Sequence, residues 1–175
     1  MKLNFMTHTN ISVNLYSLQT LSLYEGAAKK LLEELKFNHH ILAGRYINKW
    51  ISNNDSLNDF SADYYIPVPS FKNKRNFNIL DIIFKGFFQN YHDIYPYALR
   101  TKNTTPLNKL NKKEREKELR NCFEIVNGPL INNKKICVYD DILTSGSTLK
   151  ELVKELKKYE PLEIRAVCMF YKSKN

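Results

Sequence analysis

Two adjacent carboxylates, Asp140 and Asp141, stand between an apolar run at 136–139 and a stretch of small residues. The small residues, most of which carry a hydroxyl group, are Thr144, Ser145, Gly146, Ser147 and Thr148. The apolar run predicts a buried strand, and apolar residues at helical spacing from Leu149 onward predict an amphipathic helix. A loop at a helix N-terminus presents backbone N–H groups and the positive end of the helix dipole, which suit a phosphate. The pattern therefore predicts a phosphate-binding turn, with the acidic pair where the strand leaves the sheet.

A plain strand–helix turn is the competing interpretation of the same residues. In that case Thr148 caps the helix, and Glu151, three residues later, completes a capping box. Such a cap does not explain two adjacent acids at the end of a strand. We therefore favour a site for a nucleotide sugar.

The composition indicates a globular protein with an excess of positive charge. At 175 residues the chain is expected to form one domain with a substantial core. Its 27 basic and 18 acidic residues give a formal net charge of +9. This balance favours anionic partners, namely nucleic acid, phosphorylated metabolites or an anionic membrane surface. Charge alone does not separate these three classes.

Cysteine usage and hydropathy indicate the cellular compartment of the protein. Cys122, Cys137 and Cys168 are dispersed, without a C-x-x-C pair, which favours a reducing compartment. No apolar stretch is long enough to span a membrane, and the four histidines have no metal-ligand spacing. We expect a cytoplasmic protein, with peripheral association at the inner face of the cytoplasmic membrane left open.

Periodicity predicts the elements that must position the candidate residues. In chain order these are strands within 1–23, helices over 25–37 and 40–51, a polar junction at 53–63, an extended segment at 64–69, a helix over 77–88, a strand at 95–99, a basic loop and short helix over 100–120, strands at 123–126 and 135–139, a helix over 149–159 and a strand at 163–170. From the second helix, Leu42, Tyr46, Ile47 and Trp50 are expected to face the core. The last strand–helix–strand unit should be parallel and right-handed. The predicted fold class is α/β.

The strand, acidic pair and small-residue loop resemble the phosphoribosyl pyrophosphate (PRPP) motif of type I phosphoribosyltransferases. The resemblance implies their fold, a mainly parallel central sheet flanked by helices, with residues 1–60 as an N-terminal cap and 61–175 as the core. It implies that Asp140 and Asp141 bind the ribose hydroxyls and act in catalysis, while 144–148 hold the 5′-phosphate. Mg²⁺ would be held mainly through PRPP and water, and Asp140 or Asp141 could supply a further ligand.

The same resemblance implies two further segments around the pyrophosphate. A second loop after an early strand would bind it, and its residues here are Val68, Pro69, Ser70, Lys72 and Arg75. A flexible loop would close over the site and bring cations from Arg100, Lys102 and Lys109. The alternatives are a proline-rich turn with solvated lysines and a surface loop that is basic because the whole protein is basic.

An ordered set of short patterns resembles the ComF family of natural transformation. The patterns are Tyr24-Glu25-Gly26 with Lys36-Phe37, PVPS at 67–70 with Arg75-Asn76-Phe77-Asn78, Arg100 with Thr104 or Thr105, and Arg115 with the segment 119–123. The resemblance covers residues 24–171. The chain departs from it in lacking the N-terminal C-x-x-C zinc motifs and in having Asn76 and Ile79 where the family has glycine and glutamine.

The ComF resemblance implies a PRPP-binding protein that handles incoming DNA in a bacterium. Single-stranded DNA is the expected nucleic-acid partner, bound by Lys112, Lys113, Arg115 and Arg120, and competence-machinery proteins are possible partners. Whether the protein is an active phosphoribosyltransferase is left open. The alternatives are a catalytically inert scaffold that binds single-stranded DNA and a phosphoribosyltransferase of nucleobase or nucleotide salvage.

Overall fold

The computed structural model describes residues 6–7, 15, 17–53, 61–69, 77–86, 98–102 and 110–173. In chain order, the strands within these ranges are β1 (Met6–Thr7), β2 (Ser17–Leu23), β3 (Tyr64–Pro67), β4 (Ala98–Arg100), β5 (Phe123–Ile125), β6 (Lys135–Leu143) and β7 (Glu163–Tyr171). The α-helices are α1 (Gly26–Phe37), α2 (Ile41–Ser52), α3 (Ile79–Ile83), α4 (Lys112–Leu119) and α5 (Ser147–Leu156).

A mainly parallel sheet forms the centre of the molecule. Its strand order is β1-β2-β7-β6-β3, and the four strands after β1 run parallel to one another. The short strand β1 pairs antiparallel with β2 at the edge. Strands β4 and β5 pair antiparallel in a separate two-stranded sheet. The α/β fold class, the N-terminal strand pair and the parallel β6–α5–β7 unit are confirmed, whereas the boundary at residue 60 stays a prediction.

Helices cover both faces of the sheet. Helices α1, α2 and α3 pack on one face, where their apolar residues surround Cys137 and Tyr139 of β6. Helix α5, with α4 and β5 beside it, packs on the other face against Ile136 and Val138 of the same strand. Because β6 is buried on both faces, its apolar residues run without interruption, as the sequence predicted.

Strand β6 is longer than predicted, and this is a correction that affects the site. The acidic pair lies inside the strand, which continues to Leu143 because β7 still pairs with it as far as Leu143↔Tyr171. The neighbouring strand on the other side stops earlier, at the pair Pro67↔Tyr139. Val68 continues the ladder by one hydrogen bond, from its N–H to the carbonyl of Tyr139, and the next donor toward β6 would be residue 70, which lies outside the described residues. Within the described part of the chain, the last four residues of β6 are paired only with β7.

The inward face of α2 was predicted correctly for Ile47, which is buried, and for Trp50, which packs against the same core, but incorrectly for Leu42 and Tyr46. Leu42 and Tyr46 are 68% and 70% exposed, whereas a stripe of Ala43, Gly44, Ile47 and Ile51 is buried. Gly44 allows this orientation, because a Cβ atom there would lie 2.6 Å from Ile82 Cγ2. The close approach of α3 to α2 therefore selects the small-residue face of the helix.

The remaining differences concern element boundaries. Helix α3 ends at Ile83, whereas the prediction ran to residue 88, and residues 87 and 88 lie outside the described ranges. The predicted strand at 95–99 is observed as β4, which includes Arg100. Helix α4 begins with a capping box between Asn111 and Glu114, as expected for a short charged helix that needs local stabilisation.

We expect the substitution Gly44→Ala to destabilise the fold. Alanine gains about 1 kcal/mol of helix propensity over glycine. Overpacking against the branched side chain of Ile82 costs about 1–3 kcal/mol, so the packing term should dominate. Urea unfolding measures the difference. In the Gly44→Ala/Ile82→Ala double variant the loss should be smaller than the sum of the two single losses. Wild-type stability in Gly44→Ala would contradict this packing.

Candidate functional site

The acidic pair occupies the one-sided extension of β6. Successive side chains of a strand point to opposite faces, so Asp140 lies on the face covered by α5 and Asp141 on the face covered by α1. The Asp141 backbone N–H donates to Asp140 Oδ1 at 2.8 Å. Both residues are partly buried. The two carboxylates are therefore adjacent in sequence but lie in different surroundings.

Asp141 forms an ion pair with Lys36 in the last turn of α1. The distance from Lys36 Nζ to Asp141 Oδ2 is 2.8 Å, and the two side chains are 18% and 15% exposed. Lys36 was predicted only as part of a family pattern and not as a residue of the site. Its signal was weak, because a single lysine at a helix end is common on any basic protein.

Tyr24 lies in the same neighbourhood and was also not assigned to the site. Its hydroxyl donates to Glu33 Oε1 at 3.2 Å, and its ring packs against Phe170, with centroids 6.1 Å apart. Burial raises the pKa of Tyr24 to about 12, and the negative charges of Glu33 and Asp141 act in the same direction. Tyr24 therefore forms part of the wall on the Asp141 side.

Asp140 has an unfavourable environment for its charge. Burial, followed by the negative charge of Asp141, raises the pKa of Asp140 well above its usual range. The hydrogen bond from the Asp141 N–H and the positive charges of Lys36 and Arg100 act in the opposite direction without cancelling the rise. A carboxyl group perturbed by burial and by a like charge at the C-terminal end of a parallel strand is a candidate for a functional role.

The small-residue loop joins β6 directly to α5. Gly146 has the left-handed φ of 73° and is the N-cap residue, so the helix begins at Ser147, two residues before the predicted start. The Ser145 and Ser147 hydroxyls lie 2.9 Å apart. A glycine N-cap has no side chain to accept from the first-turn N–H groups, which suits a turn that receives a phosphate.

The plain capped turn is therefore wrong for this segment. Thr148 lies inside the first turn of α5 and is not its N-cap. Glu151 Oε1 accepts instead from the Asn121 N–H at 2.8 Å and pairs with Lys154. The glutamate holds the segment after α4 against α5 and does not complete a capping box.

The predicted pyrophosphate loop begins beside the acidic pair. Val68 is buried, and its N–H donates to the carbonyl of Tyr139 at 2.9 Å, one residue before Asp140. Pro69 follows it and is partly buried. Ser70, Lys72 and Arg75 lie outside the described residues, so their role stays a prediction.

Two of the three predicted flexible-loop cations are described. Arg100 lies in β4, with its guanidinium carbon 5.7 Å from the centroid of the Phe123 ring, and its charge acts on Asp140. It is thus held in a strand and not in a loop. Lys102 Nζ donates to the carbonyl of Arg120 at 3.1 Å. Lys109 lies outside the described residues.

The predicted nucleic-acid residues lie on and after α4. Lys113 and Arg120 are exposed, whereas Arg115 is partly buried and its Nε donates to the carbonyl of Leu110 at 2.9 Å. Lys112 belongs to α4, but its side chain is outside the described set. A groove of about 240 Å³ between α4 and α5 reaches Ser147 and is lined by three cations and two acids, namely Arg120, Lys150, Lys154, Glu116 and Glu151. Exposed cations thus continue from α4 toward the small-residue loop.

Comparison with known proteins agrees with this geometry. The family model described as a phosphoribosyl transferase domain matches residues 101–175, which include the acidic pair, the loop, α5 and β7. A parallel sheet of four strands flanked by helices is consistent with the type I phosphoribosyltransferase fold. The match supports a phosphoribosyltransferase-like function and a substrate of the PRPP type. No curated protein matches the chain.

Two further observations bear on metal and membrane. The described residues contain no group of three or more His, Cys, Asp or Glu side chains arranged to hold a metal ion. A resident metal cage is therefore not formed by these residues. Among the same residues, no helix is long and apolar enough to cross a membrane.

We expect Asp140→Asn to stabilise the protein at neutral and alkaline pH. The pKa of Asp140 is higher in the folded state than in the unfolded chain. Ionisation of Asp140 therefore lowers the stability of the fold as the pH rises above the usual pKa range of Asp. The amide keeps an oxygen that can accept from the Asp141 N–H. The gain should be about 1–2 kcal/mol at about pH 8 and close to zero at about pH 4. Thermal unfolding in metal-free buffer across this pH range measures it. A pH-independent effect would contradict the assigned environment.

Proposed function

We propose that the protein binds PRPP at the C-terminal end of β6 and acts in natural transformation, as a phosphoribosyltransferase-like protein that handles incoming DNA. The observation that carries the proposal is the continuity of the acidic pair, the Gly146 turn and the N-terminus of α5 within one segment. The match of residues 101–175 to a phosphoribosyl transferase domain supports the PRPP part. The resemblance of the patterns between residues 24 and 123 to the ComF family supports the DNA-uptake part.

In this proposal each part of the site binds a different part of PRPP. Asp140 and Asp141 accept hydrogen bonds from the ribose hydroxyls. The loop 144–148 and the first turn of α5 bind the 5′-phosphate through backbone N–H groups and hydroxyls. The segment that begins with Val68 and Pro69 faces the pyrophosphate, and Arg100 balances charge on the Asp140 side. Negative charge beside ribose C1 would stabilise an oxocarbenium-like transition state.

Mg²⁺ belongs to the proposal as a cation that arrives with the substrate. Two carboxylates on one strand are too few for a protein cage, and Mg²⁺ commonly binds through one or two carboxylates, substrate phosphates and water. Asp140 or Asp141 could supply one ligand. When bound, the ion would neutralise charge on the pyrophosphate.

Transfer to an acceptor is the open part of the proposed function. An active enzyme would move the phosphoribosyl group from pyrophosphate to an acceptor at C1, either in DNA handling or in nucleobase or nucleotide salvage. An inert scaffold would bind PRPP without turnover. Release of pyrophosphate in the presence of candidate acceptors separates these cases.

The double substitution Asp140→Asn/Asp141→Asn tests PRPP binding. Each substitution replaces a charge-assisted hydrogen bond by a neutral one and loses about 1 kcal/mol, so the double variant should raise Kd about 30-fold. Isothermal titration with PRPP and Mg²⁺ measures Kd, and a circular dichroism spectrum like that of the wild type shows that the fold persists. Unchanged affinity in a folded double variant rules out this site.

Binding of single-stranded DNA is a second proposed activity, and the groove between α4 and α5 supports it. Lys113 and Arg120 are exposed, and Lys150 and Lys154 of this groove extend the row of cations toward the small-residue loop. The net charge of +9 favours such a partner. Competence-machinery proteins would be the expected protein partners.

Salt dependence tests the DNA proposal. Affinity for a labelled oligonucleotide should fall steeply as the salt concentration rises. Each phosphate contact removed should reduce the slope of log K against log salt concentration by about 0.7. We therefore expect a reduction of about 1.4 for Lys113→Gln/Arg120→Gln, measured by fluorescence anisotropy. Lys29→Gln is the matched control, because Lys29 lies on α1, on the opposite face of the sheet. Salt-independent or undetectable binding would remove DNA from the proposal.

Cytoplasmic location, with peripheral association at the inner face of the membrane, completes the proposal. Phe37, Leu42 and Tyr46 are large exposed side chains near the turn between α1 and α2. Arg45 and Lys49 lie on the exposed side of α2, a helix whose sequence contains no acidic residue. An apolar and basic surface of this kind suits an anionic lipid headgroup layer.

A further inference from the structure

The ion pair between Lys36 and Asp141 differs from the other ion pairs in the described part of the chain. It joins the end of α1 to the C-terminal end of β6, whereas the others join residues that are near neighbours in sequence. In most of those other pairs one side chain is more than half exposed. Lys36 and Asp141 are 18% and 15% exposed.

Stability alone is a poor explanation for this pair. Removing two charges from water costs several kcal/mol per ion, and apolar residues of similar size at such positions are often neutral or stabilising (about 1–4 kcal/mol). The surroundings would suit apolar residues, because Leu32 and Leu35 of α1 and Phe170 of β7 are buried in the same core cluster. A buried pair at the edge of a candidate site is more readily explained by the position that it gives to the carboxylate.

The pair also makes the two acids different from each other. Lys36 contacts Asp141 on the α1 face, while Arg100 acts on Asp140 from the β4 side. Lys36 Nζ lies 2.8 Å from Oδ2 of Asp141, and this contact restricts the rotation of the carboxylate. Glu33 on α1 and the Tyr24 hydroxyl, which contact each other, form the adjacent wall.

We infer that Lys36 is a positioning residue of the PRPP site, which holds Asp141 through Oδ2 so that Oδ1 can accept a ribose hydroxyl. This inference rests on the proposed binding of PRPP. Lys36 acts through Asp141 and does not itself contact the ligand. A carboxylate held in advance loses less rotational freedom on binding, so its contribution to affinity is larger.

Three substitutions test this role by isothermal titration with PRPP and Mg²⁺. Lys36→Met removes the charge and keeps most of the apolar stem, and it should raise Kd about 10-fold. Lys36→Arg keeps a cation within reach and should bind within about threefold of the wild type. Lys29→Met is the matched control, because Lys29 lies on the same helix in an exposed pair with Glu33, and it should leave Kd unchanged.

A double-mutant cycle separates positioning from direct contact. In the Asp141→Asn background, Lys36→Met should cause no further loss of affinity, because Lys36 would then have no carboxylate to hold. The melting temperature provides a second measurement. Lys36→Met should lower the melting temperature in the wild-type background, where Asp141 loses its partner. In the Asp141→Asn background the same substitution should have a smaller effect.

The outcomes distinguish the inference from the function on which it rests. If the wild type does not bind PRPP, the proposed function fails. If the wild type binds and Lys36→Met binds equally well, the inference alone is overturned. Additive losses in the cycle would mean that Lys36 contacts the ligand directly, and they would also overturn the positioning role. Non-additive losses with recovery in Lys36→Arg would support it.

Discussion

The unequal lengths of the strands on either side of β6 determine where a ligand could sit. Strand β3 stops at Pro67, opposite Tyr139, whereas β7 continues to pair with β6 as far as Leu143. Among the described residues, the last hydrogen bond on the β3 side of β6 runs from the Val68 N–H to the carbonyl of Tyr139, just before the acidic pair. In open α/β sheets, ligands bind in a crevice outside the carboxyl ends of the strands. Here the acidic pair lies at that end of the sheet, on a strand that extends beyond the described end of β3.

The charges around this crevice are placed at a cost to stability. Burial raises the pKa of Asp140, and the negative charge of the adjacent Asp141 raises it further. Lys36 on one face and Arg100 on the other reduce the repulsion, but they do so from elements far apart in sequence. Carboxyl groups whose pKa is perturbed by burial and by a like charge are found more often in sites that bind or transform a ligand. Lys36 reaches Asp141 because the last turn of α1 lies close to β6.

Sequence reasoning was most accurate where local pattern and burial agree. The apolar stripe of α5 is buried at Leu149, Leu152, Val153 and Leu156, as its helical spacing predicted. It was least accurate where a neighbouring element decided the outcome. Leu42 and Tyr46 of α2 were wrongly predicted to face the core, because Gly44 allows the close approach of Ile82 and turns these two side chains outward. Arg100 was placed in a loop, because its strand partner Phe123 is distant in sequence.

The sequence by itself determined the class of the fold and the order of the chemical groups in the segment from 136 to 156. Apolar periodicity, adjacent acids and a run of small residues are local properties, so they can be read without a partner. Only the tertiary structure decided that Asp140 and Asp141 lie within a strand, and that they face different cations. Only the fold, likewise, brought Lys36 within 2.8 Å of Asp141. The physical reason is that strand ends, helix faces and ion pairs between distant elements depend on which neighbours the fold supplies.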